Sequence, residues 1–434
     1  HRLALALVAA LAMPAAVAQS LPTGGTVVNG NASITPGGNT LTIDQTTRGA
    51  IINWGTFNIG SGYGVTFNQP GNGVTLNRVL GTLASDISGS LTANGNVFIV
   101  NTNGITFGNS AQVNVGGLVA STLALSDAAF LAGLSSGSFQ FSGTTGTPSI
   151  TNYAEINVGA GGLGFVGPNL YNSGAIVATG GNIGFGAATT VTLDFVGDGL
   201  TQVTLNAAPS VDSGIIQDRF GSMTADGGRI LLRTAATAGG SGGAIFADGS
   251  LRARGIANVN GRVELTSVGG PVMLGAPGII SDASSPFTAG SIDVSGTNGG
   301  SVLVQGNGVF FVNNDDSPNS PTDPLSTGSS INATGVLSGG SVQILSTGDI
   351  TMLPRGRINA DGGGGDGGQV QVVAVGDALL LGDISASSKA ANGGSVALTT
   401  TTGNLVSTGS VTAFGGTNGG TVAMLARQGL LGIS

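Results

Sequence analysis

Cysteine is absent from the 434 residues of this chain. No disulfide framework is available, so a continuous apolar core must supply the stability. Histidine occurs once, at His1, and lysine once, at Lys389. Beyond the first residue there is no His-based catalytic triad and no histidine metal site. Charged residues make up only 8% of the chain, against ~25% in an ordinary globular domain. The formal net charge of -8 argues against nucleic acid or an anionic membrane surface as a partner. Glycine, by contrast, occupies 80 positions. Such a content would fit a linker, but 40% hydrophobic residues and a mean hydropathy of +0.34 exceed what disordered chains carry. Glycine here punctuates strands.

The first residues read HRLALALVAALAMPAAVAQ. A positive Arg2, an apolar run from Leu3 to Met13 and the small-x-small site Ala16-Val17-Ala18 form the pattern of a secretory signal peptide over residues 1–18. Cleavage is expected between Ala18 and Gln19. The run is short of the ~20 residues a membrane span needs, and Pro14 interrupts it. No other segment approaches a transmembrane helix, so no stable membrane insertion is expected. His1 in place of methionine leads us to expect that the start of the gene product is missing.

The C-terminal third repeats. Ser330–Gly335, Arg357–Gly362, Asp383–Ser387 and Ser410–Gly415 are variants of one phrase, S-I-N-A-x-G. A Gly-Gly-x-Val unit follows each, with its valine at Val342, Val370, Val396 and Val422, spaced by 28, 26 and 26 residues. Degenerate copies stand at Ile176–Gly180, Met223–Gly227 and Ile292–Gly296. A fixed period of this length signals a solenoid, and alternating apolar residues make it a β-solenoid. The expected fold is all-β: a right-handed parallel β-helix with inward Val, Ile and Leu ladders and glycines at corners of positive φ. At roughly 26 residues per coil, residues 19–434 allow on the order of 16 coils. Two stretches break the rhythm. Phe139–Ser149 reads as an excursion loop or hairpin, and Asn313–Ser329, with its three prolines and three aspartates, as a loop pushed out of a coil. The last residues, Gly429–Ser434, do not read as a polar cap, which leads us to expect a truncated solenoid.

Between Leu91 and Asp127 the apolar residues come in short bursts, each followed by Asn or Gly: Val97 and Ile99, Ile105 and Phe107, Val113 and Val115. The segment reads strand, turn, strand, turn. Its wording, N-T-N-G-I-T-F-G at Asn101–Gly108 and A-Q-V-N-V-G-G-L-V-A-S-T at Ala111–Thr122, closely resembles the secretion domain of the filamentous haemagglutinin-type two-partner-secretion exoproteins. The blocks I-N-W-G-T-F-N-I-G at Ile52–Gly60 and V-T-L-N-R-V at Val74–Val79 extend the resemblance over roughly residues 20–200. Where the family writes N-P-N-G-I, this chain has Thr102 in place of the proline. The resemblance implies a secretion domain over 19–210 that caps β-helix repeats over 211–434. It implies export through an outer-membrane β-barrel transporter to the cell surface or medium, and adhesion to a protein or glycan receptor on host or bacterial cells. It also implies secretion-motif roles for Asn77, Arg78, Asn101, Asn103, Gly104 and Ile105. Delivery of a larger haemolysin or toxin is the alternative.

Parallel β-helices include polysaccharide-active enzymes, whose chemistry rests on carboxylates. Asp194/Asp198, Asp315/Asp316 and Asp361/Asp366 are neighbours in sequence, and Arg252, Arg254 and Arg262 cluster near Glu264. A glycosidase needs two carboxylates facing each other across a cleft, and nothing in the spacing requires that. We expect solvated solenoid charges, no enzyme and no cofactor. Ala360–Gly368 (ADGGGGDGG) lacks the spacing of calcium-binding nonapeptides and reads as a turn. Asn31-Ala-Ser33 and Asn332-Ala-Thr334 are formal glycosylation acceptors. Trp54, the only tryptophan, is expected in the core or cap, the rival reading being a contact with the transporter.

Overall fold

The valines of the Gly-Gly-x-Val units stack in parallel register, Val302 on Val342, Val370, Val396 and Val422 in turn. The same ladder continues upstream through Val263, Ile230 and Ile183. A second ladder runs Ile156, Ile176, Met223, Leu251, Ile292, Ile331, Ile358, Ile384, Val411. A third face is a twelve-stranded parallel sheet from Ser85–Ile87 to Leu431–Ile433. One coil is, for example, Ser330–Asn332, then Ser341–Ser346, then Ile350–Met352, before the chain steps up to Arg357. The three faces enclose one apolar core in which alternate residues point inward, since side chains alternate across a strand. The protein is a parallel β-helix. This computed structural model describes residues 21–433 except 144–145, 197–198, 207–212, 236–242, 257–258, 276–288 and 313–327. Ala18 and Gln19 lie outside the described residues, as does nearly all of the loop expected at 313–329.

Two expectations need correction. Among the described residues the ladder from Thr40–Gln45 to Val411–Thr412 has thirteen rungs, which at ~4.8 Å each make a rod of roughly 58 Å, shorter than 16 coils would give. Excursions from the coils consume the difference. The repeat glycines also serve another purpose than the one expected. Gly340, Gly368, Gly394 and Gly420 are not among the positive-φ residues. Each lies where a coil's backbone presses on the coil beneath. A Cβ would stand 2.2 Å from the Gly300 carbonyl oxygen at Gly340, and 2.1 Å from the Gly340 oxygen at Gly368. Close approach, the other use of glycine, sets the Gly-Gly signature.

Antiparallel strands close the N-terminal end. Ala32–Gly37 and Thr40–Gln45 form a hairpin, and Thr26–Asn29 pairs with Gly49–Trp54. A parallel stack thereby meets no free edge there. Trp54 is buried in this cap region, edge-on to Phe57 with ring centroids 5.6 Å apart.

Phe139–Ser149 is more than a loop. Ser138–Ser142 is a strand that pairs antiparallel with Thr190–Val196, which pairs with Gly199–Leu205. A helix, Asp127–Ser136, precedes it; the Ser126 hydroxyl accepts from the Ala129 amide as N-cap, and Gly137 ends the helix at φ 77°. Helix and sheet lie over the outer face of the early coils and make a second core from Ile51, Leu76, Phe98, Val119, Phe130 and Phe141 among others. Among the described residues no helix is long and apolar enough to cross a membrane.

Candidate secretion site

Asn101 ends the strand Asn96–Val100 and is fully buried. Its Nδ2 donates to the Leu83 carbonyl and the Ser85 hydroxyl, both at 3.0 Å. Its Oδ1 accepts from the Asn103 amide and the Asn103 Nδ2, again at 3.0 Å. The second of these residues, exposed on the surface, also donates to the Gly81 carbonyl at 2.9 Å. This is the side-chain mimicry of a backbone turn that suits asparagine. Gly104 follows at φ +125°, a conformation that L side chains rarely adopt. Ile105 then drops into the core as the first residue of a strand paired with Ser85–Ile87 on one side and Ser149–Asn152 on the other. The motif is a staple: it fastens one coil to the 81–85 segment of the coil before it.

Thr102 stands exposed at the turn's corner with a negative φ. A proline at this turn position would preset φ at about −65°. Thr102→Pro should raise stability by about 0.4–1 kcal/mol through loss of unfolded-state entropy, read as a higher midpoint in urea.

Asn77 and Arg78 sit one rung below the strand that leads into this turn. Asn77 is fully buried; its Oδ1 accepts from Trp54 Nε1 at 3.0 Å and its Nδ2 donates to the Phe98 carbonyl at 3.2 Å. One amide thus joins three successive rungs, and it keeps the indole donor satisfied inside the core. Trp54 therefore serves the core, the reading favoured from the sequence. The Arg78 guanidinium donates to the Leu125 carbonyl at 3.0 Å and to Asn53 Oδ1 at 3.3 Å, and pairs with Asp127 in the first turn of the helix. Arg78 clasps the excursion to the coils. It brings the V-T-L-N-R-V block into contact with a helix that the sequence reading did not find. Ser126, Asp127 and Gly137 were the available signals: an N-cap, an acidic first turn and a C-terminal glycine.

Asn103 and Thr102 form one wall of a groove of about 330 Å³ that continues along Thr122, Pro148, Pro168 and Thr189. Asn101 and Asn103 do not stack on like residues along the axis. That arrangement occurs instead at Asn152, Asn172 and Gln217, all fully buried, where Asn152 Nδ2 donates to Asn172 Oδ1 at 2.7 Å and Asn172 Nδ2 to Gln217 Oε1 at 2.8 Å. The repeated amide at the end of S-I-T-N, N-L-Y-N and G-I-I-Q was the sequence signal.

The arginine cluster resolves into ion pairs, all but Arg262–Glu264 between neighbouring coils. Arg252 pairs with Asp226 at 2.7 Å and Arg254 with Asp293 at 2.6 Å, while Arg262 and Arg233 share Glu264. Burial pushes the Asp293 carboxyl up, but its bonds from Ser295 and Arg254 outweigh this and leave it below the usual range. Asp361 accepts from the Ser385 hydroxyl and the Ser387 amide, and Asp366 from Asn392. These carboxylates tie coil to coil. Among the described residues no three His, Cys, Asp or Glu converge on a metal-sized site.

The model of the TPS secretion domain family matches residues 18–281. The chain belongs to this family. Its members are secretion domains of exoproteins exported by partner transporters. A heme/hemopexin-binding protein of Haemophilus influenzae is 47% identical over 108 residues, which are 25% of this chain and 12% of that protein. A second protein of the same description and species is 46% identical over 83 residues, 19% of this chain and 9% of the relative. The chain thus covers about an eighth or less of the length of these relatives. The crystal structure of the HMW1 secretion domain from Haemophilus influenzae superimposes with a TM-score of 0.68 at 24% identity, over 95% of this chain and 100% of that one. That likeness is one of fold.

Proposed function

We propose that this chain is an exoprotein substrate of an outer-membrane β-barrel transporter, which recognises the segment carrying Asn77, Arg78 and the Asn101–Ile105 turn. After signal cleavage at Ala18–Gln19 the unfolded chain reaches the periplasm and then the barrel. The observation that carries the reading is the staple itself. Once residues 81–105 are outside, the two hydrogen bonds that the buried Asn101 amide donates to Leu83 and Ser85 lock one coil to the coil before it. Each later coil then folds on the one before it, because a single coil cannot bury its apolar face alone. Burial of that surface, at about 25 cal/mol/Å², favours outward movement. The rod's role is mechanical, as an adhesin at the cell surface or in the medium. Expression with and without a two-partner barrel, followed by assay of the medium, tests this. Export should require the barrel and should fall when Asn101→Ala is combined with Asn103→Ala. Equal export without the barrel would end the proposal.

The sequence likeness to heme/hemopexin-binding proteins supports a second reading, in which the exported rod binds heme or hemopexin. Titration of the purified chain with hemin, and separately with hemopexin, distinguishes it from the adhesin reading.

A further inference from the structure

The twelve-stranded face carries a nearly continuous apolar row on its outer surface. Its short strands bury their first and third residues and turn the middle one outward, and parallel register stacks these middle residues directly: Tyr171 on Ile216, Phe246, Met273, Phe310, then Thr351 and Leu379. All are at least partly exposed, Ile216 by 42% and Leu379 by 37%. Val406 continues the row. The outward row on one neighbouring face is polar, Asp293 on Asn332, Asn359 and Ser385, and that on the other is mixed, Leu303 on Gln343, Gln371 and Ala397. Outward apolar residues are thus most continuous on the twelve-stranded face.

We propose that this stripe is a self-association surface on which a second copy of the chain docks side by side and antiparallel, with the two-fold axis passing between Met273 and Phe310. Three observations select that occupant. The middle positions from Tyr171 to Val406 carry no charge, so an ionic partner finds no counter-charge along the row. The row has a fixed ~4.8 Å period, which another copy of the same row matches rung for rung. Eight rungs span about 34 Å, and strands with a flanking residue or two are about 20 Å wide. The product, roughly 700 Å² per protomer, approaches the ~800 Å² per partner of a standard stable interface. Under a two-fold axis the patch is self-complementary: Met273 meets the second copy's Phe310, a favourable sulfur–aromatic pair, and Ile216 meets its Leu379. The polar Thr351 falls opposite Phe246. Exposed apolar rows of this extent are uncommon on monomers.

Sedimentation velocity of the purified chain over a dilution series tests the proposal. A reversible dimer is expected. Phe310→Lys, whose side chain points away from the core, should raise the dissociation constant at least about tenfold. Leu337→Lys, 50% exposed on a different corner, should leave it unchanged. A monomer at every concentration, or equal effects of the two substitutions, would overturn the proposal. Because the chain has no cysteine, a second experiment stands apart from any effect of lysine on folding. Met273→Cys mixed with Phe310→Cys should form intermolecular disulfides faster than either variant alone, and equal rates would refute the antiparallel pairing.

Discussion

Asn101→Ala should destabilise the early coils by about 3 kcal/mol. The substitution removes an amide that is fully buried and makes four hydrogen bonds. It leaves the Leu83 carbonyl and the Asn103 amide without these partners, and a buried group stripped of its partner costs about 1–3 kcal/mol. The loss should be local, because coils in a solenoid contact only their neighbours. Amide exchange reports it directly. The Ser85 amide, bonded to the Gly104 carbonyl, and the Gly104 amide, bonded to the Asn101 carbonyl, should lose protection. Amides on the strand Ser341–Ser346 should keep theirs. Uniform loss along the whole rod, or unchanged protection at 85 and 104, would show that the turn is not a staple.

Gly368→Ala is the second large expected effect, at about 3 kcal/mol. The added methyl would stand 2.1 Å from the Gly340 carbonyl oxygen and 2.8 Å from that of Ala360. Both are backbone atoms held in the parallel stack, so relief requires the coils to separate. Overpacking of this kind costs ~1–3 kcal/mol and sometimes more. Gly71→Ala is the control. It lies in an exposed turn, meets no atom within 4 Å and does not have a positive φ. It should be neutral or stabilise by up to about 1 kcal/mol. Urea unfolding of the two variants side by side decides between close approach and chain flexibility as the reason for these glycines. Equal midpoints would exclude close approach.

The solenoid was legible because its signal is a distance along the chain. Val342, Val370, Val396 and Val422 recur at a nearly constant interval, and only stacked coils convert that interval into contact. The staple turn was legible for a different reason. Asn101, Asn103 and Gly104 are residue types with narrow uses, left-handed or side-chain-capped backbone, and they occur in a recognisable order. The excursion was not legible in the same way. Phe139, Phe141, Val191 and Leu193 alternate just as core strands do, yet they belong to a separate antiparallel sheet. Alternation reports that one side of a strand is buried and is silent about what buries it.

From its sequence alone this chain had an all-β solenoid fold, its repeat register, the turn at Asn101 and the placement of Trp54 in the core. All of these rest on local residue chemistry or on periodic spacing, which the chain carries before it folds. Tertiary structure alone decided that Arg78 clasps the helix at Asp127, that Asn77 spans three rungs, and that Asn152, Asn172 and Gln217 share one amide ladder. It alone also decided that one face of the rod bears an apolar row from Tyr171 to Val406. Each of these joins residues 20 to 60 positions apart or repeats over many coils. The physical reason is that a side chain's partner depends on which coil lies next to it and which way the strand faces, and both are fixed only when the coils stack.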